Sequence, residues 1–365
     1  MPNICFLLGG FQGNGGIGRV TSILANALAE NQEYNVTTIS YLQKKNVPML
    51  YKTSDKLHSY YLLDTNISMT KAILTKHLIR KTRQILIKEN IDILVACGAL
   101  YYPLGIIAVK GTSAKCFCWE HTNPAVGTDY RFQRICRKLA VRCADRVIVL
   151  TKSAEKYYKD VLKIEPSRLE QIYNPVADEA AKSEKYDLSS KKIISVGRLS
   201  FEKNFTVLLD IAAKILPRYP DWSWDIYGAG EEYDSLSEKI SKLSLEGRVR
   251  LMGQVDDIYE RYRDYSMQVM TSRYEGFPMT LIEGAVNRLP LISFDIKTGP
   301  DEIIADGENG FLVPPENAEK MQERIEYLIN HPEEREMMSE KAFRSVEKFR
   351  MAGIMEQWRN LCYSR

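Results

Sequence analysis

The chain has 365 residues, which is long enough for two domains. Hydrophobic residues make up 45% of it and charged residues 27%, a composition typical of soluble globular enzymes. The net charge is only +3, and no basic segment precedes an apolar core at the N-terminus, so we expect no signal peptide. Seven cysteines without a CxxC pair favour free thiols in a reducing cytoplasm.

Short apolar runs alternate with helical patterns in the first half of the chain. Helices are predicted over about 18–30 and 70–90. The predicted strands cover 4–8, 36–41, 91–96, 115–119 and 146–150. This alternation indicates a parallel sheet covered on both faces. The uncharged run 93–109 approaches the length of a membrane span, but its Gly98, Pro103 and Gly105 favour a buried strand, a turn and a helix start.

The same alternation restarts after Asn174-Pro175 and a polar stretch, 178–192, that resembles a linker. A helix is predicted over about 204–216. The predicted strands cover 193–197, 223–227, 249–252, 267–271, 289–294 and 311–313. We therefore predict an α/β protein with two Rossmann-like doubly wound domains, 1–175 and 176–344. Their sheets would face each other across a cleft at the carboxyl ends of the strands.

A glycine-rich turn follows the first predicted strand, and its Gly13, Gly15 and Gly18 form a GxGxxG pattern. Such a turn lets the backbone approach a phosphate at the start of a helix. A dinucleotide site would also need an acidic residue at the end of the second strand, where 40–42 has none, and this disfavours NAD. A purely structural glycine turn remains open.

Two cations flank the end of the first strand of the second half. Arg198 follows that strand and Lys203 comes just before a helix. Fixed cations at the carboxyl end of a strand can clamp a diphosphate and stabilise the charge on a departing one. A surface pair involving Glu202 is the alternative.

Glu275 and Glu283 lie eight positions apart, around a Gly/Pro turn and the helix that Pro278 can start. Carboxylates accept hydrogen bonds from hydroxyl groups, and a helix N-terminus suits phosphate. A ligand with both groups is a sugar nucleotide. His121, in Trp119-Glu120-His121, follows a buried strand and is a further site candidate, with an ordinary loop histidine as the alternative.

Several chemistries have no motif in the sequence. It contains no DxD triplet and no His/Cys cluster with metal spacing, so no metal site and no cofactor are expected. The motifs of serine hydrolases and of P-loop NTPases are also absent.

Basic residues are concentrated in the first half. Residues 1–175 contain 24 Lys and Arg against 13 Asp and Glu. Two basic helices account for much of the excess, with the cations Lys71, Lys76, Arg80, Lys81, Arg83 and Lys88 in one and Arg131, Arg134, Arg137, Lys138, Arg142 and Arg146 in or beside the other. Such helices favour an anionic membrane surface. Solvated helix faces are the alternative, and no motif supports nucleic acid as a partner.

In combination these motifs resemble the family-4 retaining glycosyltransferases of GT-B architecture, of the type that makes bacterial cell-surface polysaccharides. The resemblance covers nearly the whole chain. The residues that carry it are Gly15-Gly16, Glu120-His121, Gly197-Arg198-Leu199 with Glu202-Lys203, Glu275-Gly276-Phe277-Pro278 with Glu283, the segment 306–313, and Glu356-Gln357-Trp358. Ala229 departs from the pattern, since many relatives have an acid there.

The resemblance implies a role for each matching position. Arg198 and Lys203 would hold the donor diphosphate, which Gly15 and Gly16 would approach through their backbone. Glu283 would bind the ribose diol, and His121 would lie beside the donor sugar. Glu275 would contact the sugar hydroxyls in a pocket that the backbone of Gly276, Phe277 and Pro278 shapes. The C-terminal helical segment 345–365 would return to the first domain.

The expected function is metal-independent transfer of a hexose or N-acetylhexosamine from a nucleotide-diphosphate sugar, expected to be a UDP-sugar, with retention. The acceptor would be a saccharide or a lipid-linked saccharide. We expect a cytoplasmic protein, peripheral on the inner face of the cell membrane. A sugar-nucleotide epimerase of the same fold and a non-catalytic nucleotide- or saccharide-binding protein are the alternatives, with an NAD oxidoreductase more distant.

Overall fold

A computed structural model describes the chain except for residues 13–14, 32, 44–48, 65–70, 126–130, 183–184, 257 and 364–365. The chain divides into two compact units. Unit 1 contains Met1–Pro175 and Met351–Arg365, and unit 2 contains Val176–Arg350.

Unit 1 is built on a seven-stranded parallel sheet. Its strands are β1 (Asn3–Leu8), β2 (Asn35–Gln43), β3 (His58–Asp64), β4 (Ile93–Cys97), β5 (Lys115–Glu120), β6 (Arg146–Val149) and β7 (Leu169–Gln171). The order across the sheet is β3-β2-β1-β4-β5-β6-β7. The helices between the strands are α1 (Gly16–Glu30), α2 (Lys71–Lys88), α3 (Tyr102–Ala108), α4 (Arg131–Cys143) and α5 (Lys152–Asp160).

The strands β1 and β4 are almost fully buried, because helices cover both faces of a parallel sheet. The uncharged run after Asp92 forms β4, a 3-10 turn at Ala99–Tyr101 and then α3, which confirms the expected strand and helix start. None of the helices among the described residues is long and apolar enough to cross a membrane.

Unit 2 has a six-stranded parallel sheet of order β10-β9-β8-β11-β12-β13. Its strands are β8 (Lys192–Val196), β9 (Ser223–Tyr227), β10 (Val249–Gly253), β11 (Met267–Met270), β12 (Leu291–Phe294) and β13 (Gly310–Val313). The helices are α6 (Phe205–Ile215), α7 (Tyr233–Lys242), α8 (Ile258–Arg261), α9 (Met279–Val286), α10 (Pro300–Ile303), α11 (Ala318–Asn330) and α12 (Pro332–Ser345). The prediction of two doubly wound parallel sheets is therefore confirmed.

The last helix, α13 (Met351–Tyr363), packs in unit 1. Its Trp358 is fully buried, with ring centroids 6.2 Å from Phe6 of β1 and 5.1 Å from Trp119 of β5. Burial of an indole of this size contributes substantially to fixing the helix on the sheet.

Two features of the fold were not predicted. The strands β3 and β7 were missed, and the stretch proposed as a linker is packed rather than free. Ala180 is fully buried, and its carbonyl accepts a hydrogen bond from Asn287 Nδ2 at 2.6 Å. Tyr186 Oη donates to the carbonyl of Ser266 at 2.6 Å. These bonds attach the stretch to unit 2.

Candidate active site

The first cluster of candidate residues lies at the carboxyl end of β8, where Gly197 and Arg198 follow the strand. The backbone on either side of Arg198 is hydrogen-bonded to the segment that follows β9. Gly197 N donates to Tyr227 O at 2.9 Å, and Leu199 N donates to Ala229 O at 3.1 Å. The main chain that carries the arginine is therefore fixed on both sides.

Two glycines make this close approach of backbones possible. A Cβ at Gly228, where φ is +140°, would lie 1.8 Å from Gly197 O, and one at Gly230 would lie 2.2 Å from Leu199 O. Neither position can hold a side chain without moving the neighbouring backbone. The Arg198 side chain itself is exposed, and its guanidinium makes no hydrogen bond or ion pair within the described residues.

An ion pair joins Lys203 to Glu275. The distance from Lys203 Nζ to Glu275 Oε1 is 2.5 Å, and the two side chains are 22% and 11% exposed. Ser272 Oγ donates to the same carboxylate oxygen at 2.7 Å, and Thr298 Oγ1 donates to the Glu275 carbonyl at 2.6 Å. The hydrocarbon stem of Lys203 lies close to Gly197, where a Cβ would be 3.2 Å away. The acid and the cation predicted for one site are in direct contact.

The position of this pair in the sheet is informative. Arg198 and Lys203 follow β8, and Glu275 follows β11. These two strands are neighbours, and the strand order reverses at β8. In open α/β sheets, ligands bind outside the carboxyl ends of the strands where the order reverses. The fold therefore places these three residues where a ligand site is expected.

The turn between β11 and α9 contains the other predicted residues. Gly276 is partly exposed, whereas Phe277 is buried, with its ring centroid 5.6 Å from that of Phe349. Pro278 caps α9. Glu283 is buried one turn inside the helix, and its Oε2 accepts a hydrogen bond from Tyr262 Oη at 3.2 Å. Its contact with a ribose stays a prediction.

Ser272 at this strand end was not singled out from the sequence, although its position just after β11 could have indicated it. Ser272 and Thr298 both donate hydrogen bonds to Glu275. Asn204 is buried in a left-handed conformation (φ 56°), and its side chain makes no hydrogen bond among the described residues. The pKa of Glu202 is lowered, first by a hydrogen bond from Ser200. Glu202 is therefore an anion close to the cations of this cluster.

The glycines of the turn in unit 1 differ in how closely they are packed. A Cβ at Gly18 would lie 2.9 Å from Gly10 O, so packing explains that glycine. A Cβ at Gly15 or Gly16 would meet no described atom within 4 Å. Gly15 caps the N-terminus of α1, and Gly13 lies outside the described residues. Packing within the described part of the chain gives no reason for glycine at 15 and 16.

Glu120 lies at the end of β5 and is fully buried. Its Oε2 is 2.6 Å from Arg137 Nε and accepts a hydrogen bond from Tyr158 Oη at 2.9 Å. Thr122 Oγ1 donates to Oε1 at 2.7 Å. The assignment of Arg137 to an exposed basic face is therefore wrong. At 100° per residue it lies on the inner side of α4, where it compensates a buried carboxylate.

His121 follows directly and is nine-tenths buried. Its ring centroid lies 4.2 Å from that of Trp119, and its Nε2 has no hydrogen-bond partner among the residues that the structure describes. Burial lowers the pKa of His121 to about 3, so the imidazole is neutral at physiological pH. Such a group can exchange a hydrogen bond with a ligand but supplies no positive charge.

The described residues contain no group of three or more His, Cys, Asp and Glu side chains that could hold a metal ion.

Two family models match consecutive parts of the chain. The model described as Glycosyltransferase Family 4 matches residues 14–180, and the model described as Glycosyl transferases group 1 matches residues 176–345. The first match contains Gly15, Gly16 and His121, and the second contains Arg198, Lys203 and the two glutamates.

Similar proteins match over their full lengths. An uncharacterized glycosyltransferase of Haemophilus influenzae is 27% identical over 361 residues, which cover 99% of this chain and 100% of the relative. The amylovoran biosynthesis glycosyltransferase AmsD of Erwinia amylovora is 28% identical over 375 residues, with 99% of each chain covered.

A solved structure shares the fold. It is a mutant of S. aureus TarM in complex with Fondaparinux, alpha-GlcNAc-glycerol and UDP, with a TM-score of 0.84, 16% identity and 100% of both chains covered. The GT-B architecture expected from the motifs is confirmed. Since the two family models together span residues 14–345, the chain belongs to the family-4 glycosyltransferases, and it is a glycosyltransferase of GT-B fold.

Proposed function

We propose that this glycosyltransferase moves a hexose or N-acetylhexosamine from a UDP-sugar to a saccharide or lipid-linked saccharide during synthesis of a cell-surface polysaccharide, with retention at the anomeric carbon. The observation that carries the proposal is the Lys203–Glu275 ion pair beside the exposed Arg198 at the strand reversal of unit 2. Cations for a diphosphate and a carboxylate for hydroxyl groups are thus assembled in one place.

The choice of donor and product draws on the relatives. The similar TarM structure contains UDP and a GlcNAc glycoside, and AmsD is named for amylovoran biosynthesis. We propose the same donor nucleotide and the same class of product for this chain.

In the proposed mechanism Arg198 and Lys203 bind the diphosphate and stabilise its charge as the sugar leaves. A donor phosphate that approaches Lys203 competes with Glu275, and the carboxylate thereby becomes available to hydroxyl groups of the donor sugar. Glu283 would accept hydrogen bonds from the ribose diol. The leaving diphosphate would help to deprotonate the acceptor hydroxyl on the same face of the sugar, and no metal ion would be needed.

From unit 1 we assign Gly15 and Gly16 to the donor phosphates and His121 to the donor sugar. At the two glycines a Cβ would meet no described atom within 4 Å, and the buried Nε2 of His121 has no hydrogen-bond partner among the described residues. Both observations support these roles. A neutral imidazole suits a hydrogen bond to a sugar hydroxyl, because it can donate or accept.

The remaining parts of the proposal concern where the protein works. We propose a cytoplasmic enzyme held at the inner face of the cell membrane, where a lipid-linked acceptor would be available. An epimerase of the same fold is not favoured by the family matches.

A thermal-shift panel of nucleotides and sugar nucleotides, with and without EDTA, tests the donor assignment. A UDP-sugar should raise Tm more than other nucleotide sugars do, because stabilisation increases with the logarithm of the affinity, and EDTA should leave the shift unchanged. The purified protein should then consume that donor when a saccharide acceptor is added. Binding without turnover with any acceptor would support a binding protein instead, and a shift that depends on a divalent cation would refute metal independence.

A further inference from the structure

One face of α4 in unit 1 combines exposed cations with an exposed aliphatic side chain. Five exposed residues are spaced so that they lie in one line along the helix. We call them the α4 stripe: Arg131, Arg134, Ile135, Lys138 and Arg142. Ile135 lies among the four cations with 62% of its surface exposed. The helix contains no acidic residue.

The stripe faces outward because the other side of α4 is anchored. Cys136, Arg137 and Ala140 are buried against the sheet, and the Arg137–Glu120 ion pair fixes the rotation of the helix. Phe132, next to the stripe, is 60% exposed. The 3-10 turn Ala99–Tyr101 packs against α4 and adds Leu100, which is 52% exposed.

The second basic helix, α2, differs in this respect. Arg83 donates to the carbonyl groups of Ala108 and Ile107, and Lys81 Nζ donates to that of Leu62 at 3.2 Å. The α4 stripe, in contrast, directs four cations to solvent with no hydrogen bond or ion pair among the described residues. Lys76 and Arg80 are the α2 cations that remain exposed without such a bond among the described side chains, so α4 presents four such cations and α2 two.

We propose that the α4 stripe docks this glycosyltransferase on an anionic lipid bilayer. Single exposed apolar residues are common on protein surfaces, but Ile135 lies among, and Phe132 next to, four exposed cations that have no partner among the described residues. At a bilayer the cations bind lipid phosphates while the apolar side chains enter the boundary between headgroups and acyl chains. A nucleic acid would satisfy the cations but would leave the aliphatic side chains in water.

This inference deepens the proposed function, since it rests on a lipid-linked acceptor and specifies the surface that would reach it. Its test needs neither donor nor turnover. The full chain is sedimented with phosphatidylcholine vesicles that contain or lack phosphatidylglycerol, at low and at high salt. We expect binding to the anionic vesicles, weakened by salt, and none to the neutral ones.

The first set of variants replaces three cations of the α4 stripe with glutamate. The variant R131E/R134E/K138E should bind anionic vesicles at least about tenfold more weakly, because each cation near an anionic surface contributes to affinity. A variant with the same change in net charge, K110E/K115E/K156E, alters exposed lysines of unit 1 that lie outside α4 and should keep most of the binding. An equal loss of vesicle binding in the two variants would mean that the net charge, and not the α4 stripe, attracts the protein to the vesicles.

The apolar arm replaces Phe132 and Ile135 with serine. We expect a several-fold loss of vesicle binding that persists at high salt. The control replaces Ile87 and Val161, which are 58% and 59% exposed elsewhere in unit 1, and should not change binding. Circular dichroism confirms that each variant is folded.

Two results would overturn the assignment. One is no binding to anionic vesicles at low salt. The other is binding of a duplex oligonucleotide that the triple α4 variant loses, without vesicle binding. In either case an unchanged thermal shift with a UDP-sugar would leave the proposed transferase activity standing, so that the two failures can be told apart.

Discussion

Each unit places a glutamate at the carboxyl end of its parallel sheet, but the two carboxylates have different surroundings. Glu120 in unit 1 is fully buried and bonded to Arg137, Tyr158 and Thr122. Glu275 in unit 2 is partly exposed and paired with Lys203. The first carboxylate is bonded to fully internal partners, whereas we propose that the second exchanges its lysine partner for a ligand.

This comparison shows that an acid after a strand does not by itself mark a binding residue. In unit 1 the acid positions the loop that contains His121, and the loop supplies the candidate ligand contact. In unit 2 the acid is itself the candidate contact. The two roles predict different consequences of mutation. In unit 1 we expect a loss of stability, and in unit 2 a loss of turnover.

The largest expected effect is on the stability of unit 1. Arg137→Met leaves the Glu120 carboxylate buried without its cation, which typically costs about 3–5 kcal/mol. Urea denaturation should show this loss, and the double variant Glu120→Met with Arg137→Met should recover part of it. Wild-type stability in the single variant would mean that the ion pair is not needed to hold α4.

In unit 2 the corresponding changes should affect turnover. Arg198→Ala and Lys203→Ala should each reduce kcat by roughly a hundredfold or more, since one lost charge-stabilising donor costs about 2.7–4 kcal/mol in the barrier. Steady-state kinetics with the donor found by thermal shift measures this. Arg218→Ala, at an exposed arginine paired with Glu326, is the matched control and should be nearly silent. Near-normal turnover in both site variants, with folding intact, would refute the role assigned to these cations.

Closely packed and loosely packed glycines in unit 1 also allow stability to be compared with donor binding. Gly18→Ala forces a Cβ against Gly10 O and should destabilise the protein by about 1–3 kcal/mol. Gly15→Ala and Gly16→Ala should leave stability within about 0.5 kcal/mol but weaken donor binding. Thermal denaturation and donor titration give the two readouts. Unchanged donor affinity in both would indicate a structural turn.

The smallest effect is the change of stability with pH over the first unit below pH 6.5. Because the folded pKa of His121 is about 3, its unfolded form binds protons first as pH falls below about 6.5, so stability is full above that pH and declines toward pH 3. Between pH 6.5 and 5.5 this group should cost about 1 kcal/mol. His121→Phe should lack that part of the decline in denaturation curves. Identical pH profiles for the two proteins would show that the imidazole is not held neutral.

The sequence was sufficient to predict the two sheets, because strongly apolar runs such as β1 and β4 are buried in a parallel sheet whatever surrounds them. It was not sufficient for β3 and β7. β3 has a charged or polar residue at each end, and β7 is only three residues long, so neither forms the continuous apolar run by which the others were recognised.

The candidate site was predictable in its residue types but not in its contacts. Lys203 and Glu275 are 72 positions apart, and only the pairing of β8 with β11 brings them together. Arg137 was misplaced because at 100° per residue it lies only about 60° from Arg134 of the stripe, and its inward direction is set by the buried Glu120. The burial of Glu283 depends on Tyr262, a residue that no motif indicated.

The glycines at 228 and 230 have a consequence for how fast the donor can be captured. They let the chain after β9 form hydrogen bonds with the main chain on both sides of Arg198, so the backbone that carries the guanidinium is fixed before any ligand binds. Only the rotamers of one side chain remain to be frozen, an entropic cost of about 0.5–1.5 kcal/mol. A diphosphate would thus meet an arginine side chain on a main chain that is already rigid, and binding would not require a loop to fold first.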